Sequence, residues 1–352
     1  MYFFLAAFGL SLVSTGLVRR VAKVLEIVDW PDGERKLHTQ AVPLLGGVAI
    51  FVAFWSVVAY VVFLTHLFAP HIQPQQLWGI FIGSALLMIM GSWDDIRSLS
   101  PTTRLVVTAL AALTVLISGV GLAQITNPFG GVWQLNFWTI PVSTWGSIAV
   151  VGDTLVFFWL LGMMYTTKIL DGLDGLAAGI TTIGLFVVYF LTLTKKFYQP
   201  DVGLLALIAA GAVLGFLCFN FHPAKIFLGE GGSLLIGFLL GILAVISGGK
   251  IATALLVMAV PVLDLARVIY VRWRDGRSVF QGDREHLHFR LRDAGFSERG
   301  AVLFLYAVAL VFGVTTLFLQ SKFKLITLGG LALAMVLFGI WLGRAPRRRA
   351  GS

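Results

Sequence analysis

The sequence is poor in charge. Only 12% of its 352 residues are Asp, Glu, Lys or Arg, against about 25% in a soluble globular domain. Hydrophobic residues make up 58%, and the mean hydropathy is +0.91. Most of the chain therefore has no water to face, which excludes an ordinary soluble domain. Cysteine is nearly absent too. Cys218 stands alone, so an intrachain disulfide and a cysteine-based metal cage are excluded. In the apolar run 203–219 it reads as a small buried hydrophobe. Strict apolar–polar alternation is missing, which excludes a transmembrane β-barrel. No internal repeat is found.

Long apolar runs are abundant. Eleven segments stand out, at about 2–18, 43–66, 77–92, 103–125, 148–167, 174–194, 202–219, 231–248, 251–271, 300–319 and 324–343. A spanning helix needs about 20 such residues. The expected fold is an all-α, polytopic transmembrane bundle of about eleven spanning helices. It forms a single domain over 1–343, with a basic tail at 344–352. Arg19 and Arg20 follow the first run, whereas a signal peptide carries its charge before the apolar stretch. Residues 2–18 are therefore read as a retained helix. Arg347, Arg348 and Arg349 suit attachment to anionic lipid.

The net charge of +9 raises the question of nucleic acid, but its distribution answers otherwise. With the N-terminus outside, only Lys195, Lys196, Lys250, Lys322 and Lys324 of the 26 basic residues fall outside. That bias places the C-terminus in the cytoplasm, with the lipid bilayer as partner and no nucleic acid. Of the acids, only Asp153 and Asp201 fall on the outer side. The rest gather with Gly and His in the inner loops, which points to one reactive face.

Five inner segments carry the chemistry. Asp94 and Asp95 are adjacent carboxylates at a membrane boundary, where a cation would relieve their repulsion; the bland reading is a solvated turn. Asp171-Gly172-Leu173-Asp174-Gly175 sets two acids three apart, a shared face at a helix start, or a helix cap. Asn220 to Ser233 ends in Gly229, Glu230, Gly231 and Gly232 before an apolar run, an anion-binding helix start or an ordinary glycine turn. Glu230 offers oxygen to a hard metal, and Phe227 a face for a base. Asp283-Arg284-Glu285-His286-Leu287-His288-Phe289-Arg290 suits phosphate better than zinc; its bland reading is a basic surface loop. Arg35, Lys36 and His38 suit a phosphate or simple inner-face anchoring. Asp264 and Arg267, three apart, read as a structural ion pair supporting the loop.

Together these segments resemble the polyprenyl-phosphate N-acetylhexosamine-1-phosphate transferase family, over roughly residues 1–343. The branch that uses UDP-GlcNAc and undecaprenyl phosphate is the nearest in pattern. The resemblance implies transfer of a phospho-sugar from a UDP-N-acetylhexosamine to a polyprenyl phosphate at the inner membrane, with release of UMP and a need for Mg²⁺ or Mn²⁺. It implies catalytic roles for Asp94, Asp95, Asp174, His286 and His288. Substrate contacts fall to Arg35, Lys36, His38, Lys168, Asp171, Asn220, Phe227, Arg284 and Arg290. Metal binding falls to Glu230 with Asp94 or Asp95. Two positions depart from the family pattern: Lys168 stands where Asn is usual, and Glu230 where Asp is usual. Lys168 is placed to pair with Asp171 or to hold a phosphate. A weakened enzyme and a transporter or flippase are the competing readings, and a homodimer is compatible with each.

Overall fold

The computed structural model describes residues 1–31, 40–65, 71–127, 130–143, 146–248, 251–276, 286–319 and 321–344. Within these ranges the side chains of 141–148, 196, 288, 321 and 335–344 lie outside the description. Each of the eleven apolar segments contains helix. In chain order these are α1 (Tyr2–Val24), α2 (Gly46–Tyr60), α3 (Pro74–Ile96), α4 (Pro101–Ile117), α5 (Val150–Leu170), α6 (Leu176–Thr192), α7 (Pro200–Asn220), α8 (Gly229–Ile246), the pair α9 (Ile251–Val257) and α10 (Ala259–Arg274), α12 (Glu298–Phe318) and α13 (Ser321–Arg344). A short helix, α11 (Leu287–Asp293), lies between α10 and α12. Among the described residues, seven helices are long and apolar enough to cross a membrane, or eight with the bent α9–α10 pair; α4 and α6 are shorter, at 17 residues each.

Local signals place the helix starts. Pro74, Pro101 and Pro200 occupy first-turn positions, where a missing N–H costs nothing. Ser100 and Ser297 accept from Thr103 N and Gly300 N as N-caps. The run 251–271, expected as one span, bends by 81° between α9 and α10. Pro261 explains the break, because it cannot donate to the Val257 carbonyl.

The core centres on α8, in which every residue from Gly231 to Val245 is buried. Around it pack α2, α3, α5 and α6, with α7 and α1 beyond. α1 buries one stripe, Ala7, Ser11, Thr15 and Ala22, and exposes Leu5, Leu10, Val13 and Leu17. A helix apolar on its exposed face belongs in lipid. Cys218 is exposed on α7, which corrects the expected burial: the buried face of α7 runs through Gly215, Phe216 and Asn220 and leaves Cys218 outward.

Glycines let three helices meet at one end of the bundle. A Cβ on Gly47 of α2 would lie 2.3 Å from Gly232 Cα, and one on Gly91 of α3 2.1 Å from Gly231 Cα. Only glycine permits such backbone approach. At the opposite end, the long loop after α4 forms two hairpins that the sequence reading had not assigned. These are β3 (Gln124–Thr126) with β4 (Val132–Gln134), and β5 (Thr139–Ser143) with β6 (Gly146–Ala149). A two-residue pair, β1 (Val28–Asp29) with β2 (Val42–Pro43), closes the neck of the loop between α1 and α2.

Candidate active site

A cavity of about 1040 Å³ opens where α1, α3, α5 and α7 end and α2, α6 and α8 begin. Asp94, Asp95, Lys168, Asp171, Asp174, Asn220, Phe227 and Glu230 all line it. The acids that the sequence spreads over three loops thus face one space. Asp153 and Asp201 lie at the other end, in the first turns of α5 and α7.

The acids differ in how they are satisfied. Asp94 Oδ1 accepts from Arg104 Nε at 2.8 Å and Leu99 N at 2.7 Å, so it ties α3 to α4. Asp95 Oδ1 accepts from Glu230 N at 3.0 Å, at the start of α8. Gly229, at φ +73°, makes room for this contact, because a Cβ there would lie 2.1 Å from Asp95 Oδ2. Lys168, in the last turn of α5, pairs with Glu230. It does not take Asp171 as its ion-pair partner among the described residues.

Asp171 and Asp174 lie in the turn between α5 and α6 rather than on a helix start. Asp171 caps α5, and Gly175, at φ +80°, delays α6 to Leu176. Asp174 Oδ2 accepts from Ala224 N at 2.9 Å and meets His222 Nδ1 at 3.0 Å. Burial pushes the Asp171 carboxyl well above the ordinary carboxylate range, and the charges of Asp174, Asp95 and Glu230 push it the same way. The folded protein then holds a proton there that the unfolded chain releases near pH 3.9. Stability falls as pH rises through that window, because the folded state binds more protons. Asp171→Asn is therefore expected to unfold at a higher temperature than wild type at pH 7 in metal-free detergent. The gain should fade as pH drops towards 4. Equal midpoints at pH 7 would remove this account of Asp171.

Asn220 is buried and its amide is spent within the protein. Oδ1 accepts from Gly175 N at 3.1 Å and Nδ2 donates to Ile226 O at 3.0 Å. It fixes the Asp171–Gly175 turn against the segment that carries Phe227. Backbone bonds set Phe227 itself: its N–H donates to Pro43 O at 2.8 Å, and its carbonyl accepts from Gly46 N at 2.9 Å. Its half-buried ring lines the cavity.

Sequence reasoning missed three residues. His222 lies 3.4 Å from Glu298 Oε1 as well as beside Asp174, and these three could hold a cation, their ligand atoms lying within 4.8 Å of one another. Tyr306 of α12 donates to Gly175 O at 2.5 Å. A tyrosine in an apolar run signals a hydroxyl that needs a partner, but the sequence does not name the partner. Glu298 reads as an ordinary first-turn acid after Ser297, and only the fold brings it to the cavity.

The His segment is only partly within view. Arg35, Lys36, His38 and Arg284 lie outside the described residues, as does the His288 side chain. His286 precedes α11, where its Nδ1 meets Asp264 Oδ2 at 2.9 Å, and Leu287 N donates to the same oxygen at 2.9 Å. Arg267 Nη2 pairs with Asp264 Oδ1 at 2.9 Å. The expected Asp264–Arg267 pair is present, and it also seats His286. His286 and Arg290 are not among the described residues lining the cavity, whereas Phe289 is.

Comparison with known proteins places this geometry in a class. The pattern of glycosyl transferase family 4 matches residues 77–248, which span α3 to the end of α8. The decaprenyl-phosphate N-acetylglucosaminephosphotransferase of Mycolicibacterium smegmatis is 33% identical over 327 residues, 86% of this chain and 77% of the relative. Its counterpart in Mycobacterium tuberculosis H37Rv is 32% identical over 327 residues, 86% of this chain and 78% of the relative. The undecaprenyl-phosphate alpha-N-acetylglucosaminyl 1-phosphate transferase of Escherichia coli K12 is 27% identical over 341 residues, covering 93% of this chain and 86% of the relative. The chain belongs to glycosyl transferase family 4.

Proposed function

We propose that the protein transfers N-acetylglucosamine 1-phosphate from its UDP-sugar to a polyprenyl phosphate, giving a polyprenyl-diphosphate sugar and UMP. Family membership and the activities named for its relatives support a glycosyl-1-phosphate transferase. The observation that carries the reading is the convergence of Asp95, Asp171, Asp174 and Glu230 on one large cavity at one end of an apolar bundle. A cavity of this size accommodates a nucleotide sugar. Its place at a helix-bundle end suits an acceptor whose tail stays in the bilayer.

The reaction brings two anions together. An oxygen of the lipid phosphate attacks the β-phosphorus of the UDP-sugar. A new P–O bond forms as the bond from that phosphorus to the bridging oxygen breaks, and UMP leaves with the electron pair. Asp95 positions the acceptor phosphate or takes its proton. Lys23 and Lys225, which also line the cavity, offset charge at the rim. The His286–Arg290 segment, with Arg284, closes over the diphosphate, and Asp264 orients the His286 ring. Phe227 stacks on the uracil, and Arg35, Lys36 and His38 meet phosphate. Hard carboxylate oxygens clustered in excess of their protein cations fit Mg²⁺ or Mn²⁺. Asp95, Asp171 and Glu230 would hold the ion, with the second oxygen of Asp94 nearby. When bound, it neutralises the diphosphate and stabilises the leaving UMP.

We further propose that all eleven apolar segments enter the bilayer, with the N-terminus outside and the cavity facing the cytoplasm, as the basic residues suggest. The test is UMP release by purified protein supplied with UDP-GlcNAc and undecaprenyl phosphate. EDTA is expected to stop it and excess Mg²⁺ to restore it. A transporter would release no UMP, and turnover unaffected by EDTA would end the metal role.

A further inference from the structure

The basic side chains beside the site acids are not held alike. Arg104 is locked to Asp94, which also binds the Leu99 amide. His222 is held between Asp174 and Glu298. Lys168 is placed differently. Its ammonium pairs with Glu230 and lies 5.7 Å from the centre of the Tyr165 ring, within cation–π range. Its side chain still keeps 27% of its surface open and borders the cavity. Among the described residues, neither Asp95 nor Asp171 has an ion-pair partner.

Glu230 thus stands beside acids that have no cationic partner among the described residues, and itself carries a monovalent cation of the chain's own. Lys168 sits on a flexible four-carbon stem and makes point-charge contacts. Its pair with Glu230 has no bidentate geometry to lock it. Its position in the last turn of α5 favours a cation there in any case. A divalent ion arriving at Glu230 meets an ammonium already in contact with that carboxylate, and the two repel.

We propose that Lys168 is a resident counter-cation that a divalent metal ion must displace from Glu230, so that the chain sets its own metal affinity through this pair. The proposal rests on the metal reading above. It makes Lys168 a positioning residue for Glu230, which keeps the acid cluster compensated while no metal is bound and releases Glu230 when the ion arrives.

The test is Mn²⁺ binding to the purified full chain in detergent, read from loss of the free-ion electron paramagnetic resonance signal, with no donor present. Lys168→Met is expected to bind Mn²⁺ about tenfold more tightly than wild type, the scale of removing one like charge a few ångströms from the ion's site near a protein surface. Lys168→Arg keeps the charge and should stay near wild type. In a Glu230→Gln background, Lys168→Met should give no comparable gain, because the displaced partner is already gone. Lys168→Gln serves as the second neutral variant if Lys168→Met unfolds.

Unchanged or weaker Mn²⁺ binding in the folded neutral variants overturns the proposal. So does an equal gain in the Glu230→Gln background, which would reduce Lys168 to a general field effect. UMP release with Mn²⁺ affinity unmoved by Lys168 sinks this proposal alone. A tenfold gain in a protein that releases no UMP leaves it standing and sinks the transferase reading.

Discussion

Asp95→Asn is expected to lower UMP release by about a thousandfold, the scale of losing one preorganised polar group at a reacting centre, while the protein remains folded. The reasoning starts from the backbone. Asp95 Oδ1 accepts the Glu230 amide at the start of α8. Asn keeps an oxygen at that position and so keeps the bond that joins α3 to α8. Only the charge is removed. Asp94→Asn is a useful contrast, because Asp94 already spends one oxygen on Arg104 and Leu99. That substitution should show in the unfolding temperature as well as in turnover. Wild-type turnover by a folded Asp95→Asn protein would take Asp95 out of the chemistry.

Gly91→Ala is expected to damage both the bundle and the site. Its new methyl would fall 2.1 Å from the Gly231 Cα, and backbone cannot yield as a flexible side chain can. α3 must move away from α8. Overpacking of this kind costs about 1–3 kcal/mol. Because α3 carries Asp95 and α8 carries Glu230, UMP release should fall together with thermal stability. Gly162→Ala is the control, since a methyl there meets nothing within 4 Å. It should leave both measurements near wild type. Equal behaviour of the two variants would mean that the glycine seam does not set the spacing of the acids.

Much of this arrangement was legible in the sequence, for local reasons. Long apolar runs cannot satisfy their backbone in lipid except as helix, and each of the eleven contains one. The paired Asp94 and Asp95 and the glycine-flanked acids Asp171, Asp174 and Glu230 stood out because acids are so rare in the chain. What stayed hidden depends on residues far apart in the chain. Lys168 lies next to Asp171 in sequence terms, yet pairs with Glu230, 62 positions on. Asn220 reads as a ligand contact, but both ends of its amide are used inside the protein. His222 and Glu298 carry no local pattern that joins them to Asp174. The bend at α9–α10 was legible in principle, because Pro261 announces it.

Asp264 has a mechanical consequence for the connection between α10 and α11. That connection leaves the end of α10 at Arg274, and its far end, His286 and Leu287, is bound back to Asp264 on the same helix. The two attachment points are ten residues apart along one rod, about 15 Å at helical rise. His286 and Leu287 are therefore seated on α10 itself, so any displacement of that helix carries the start of α11 with it.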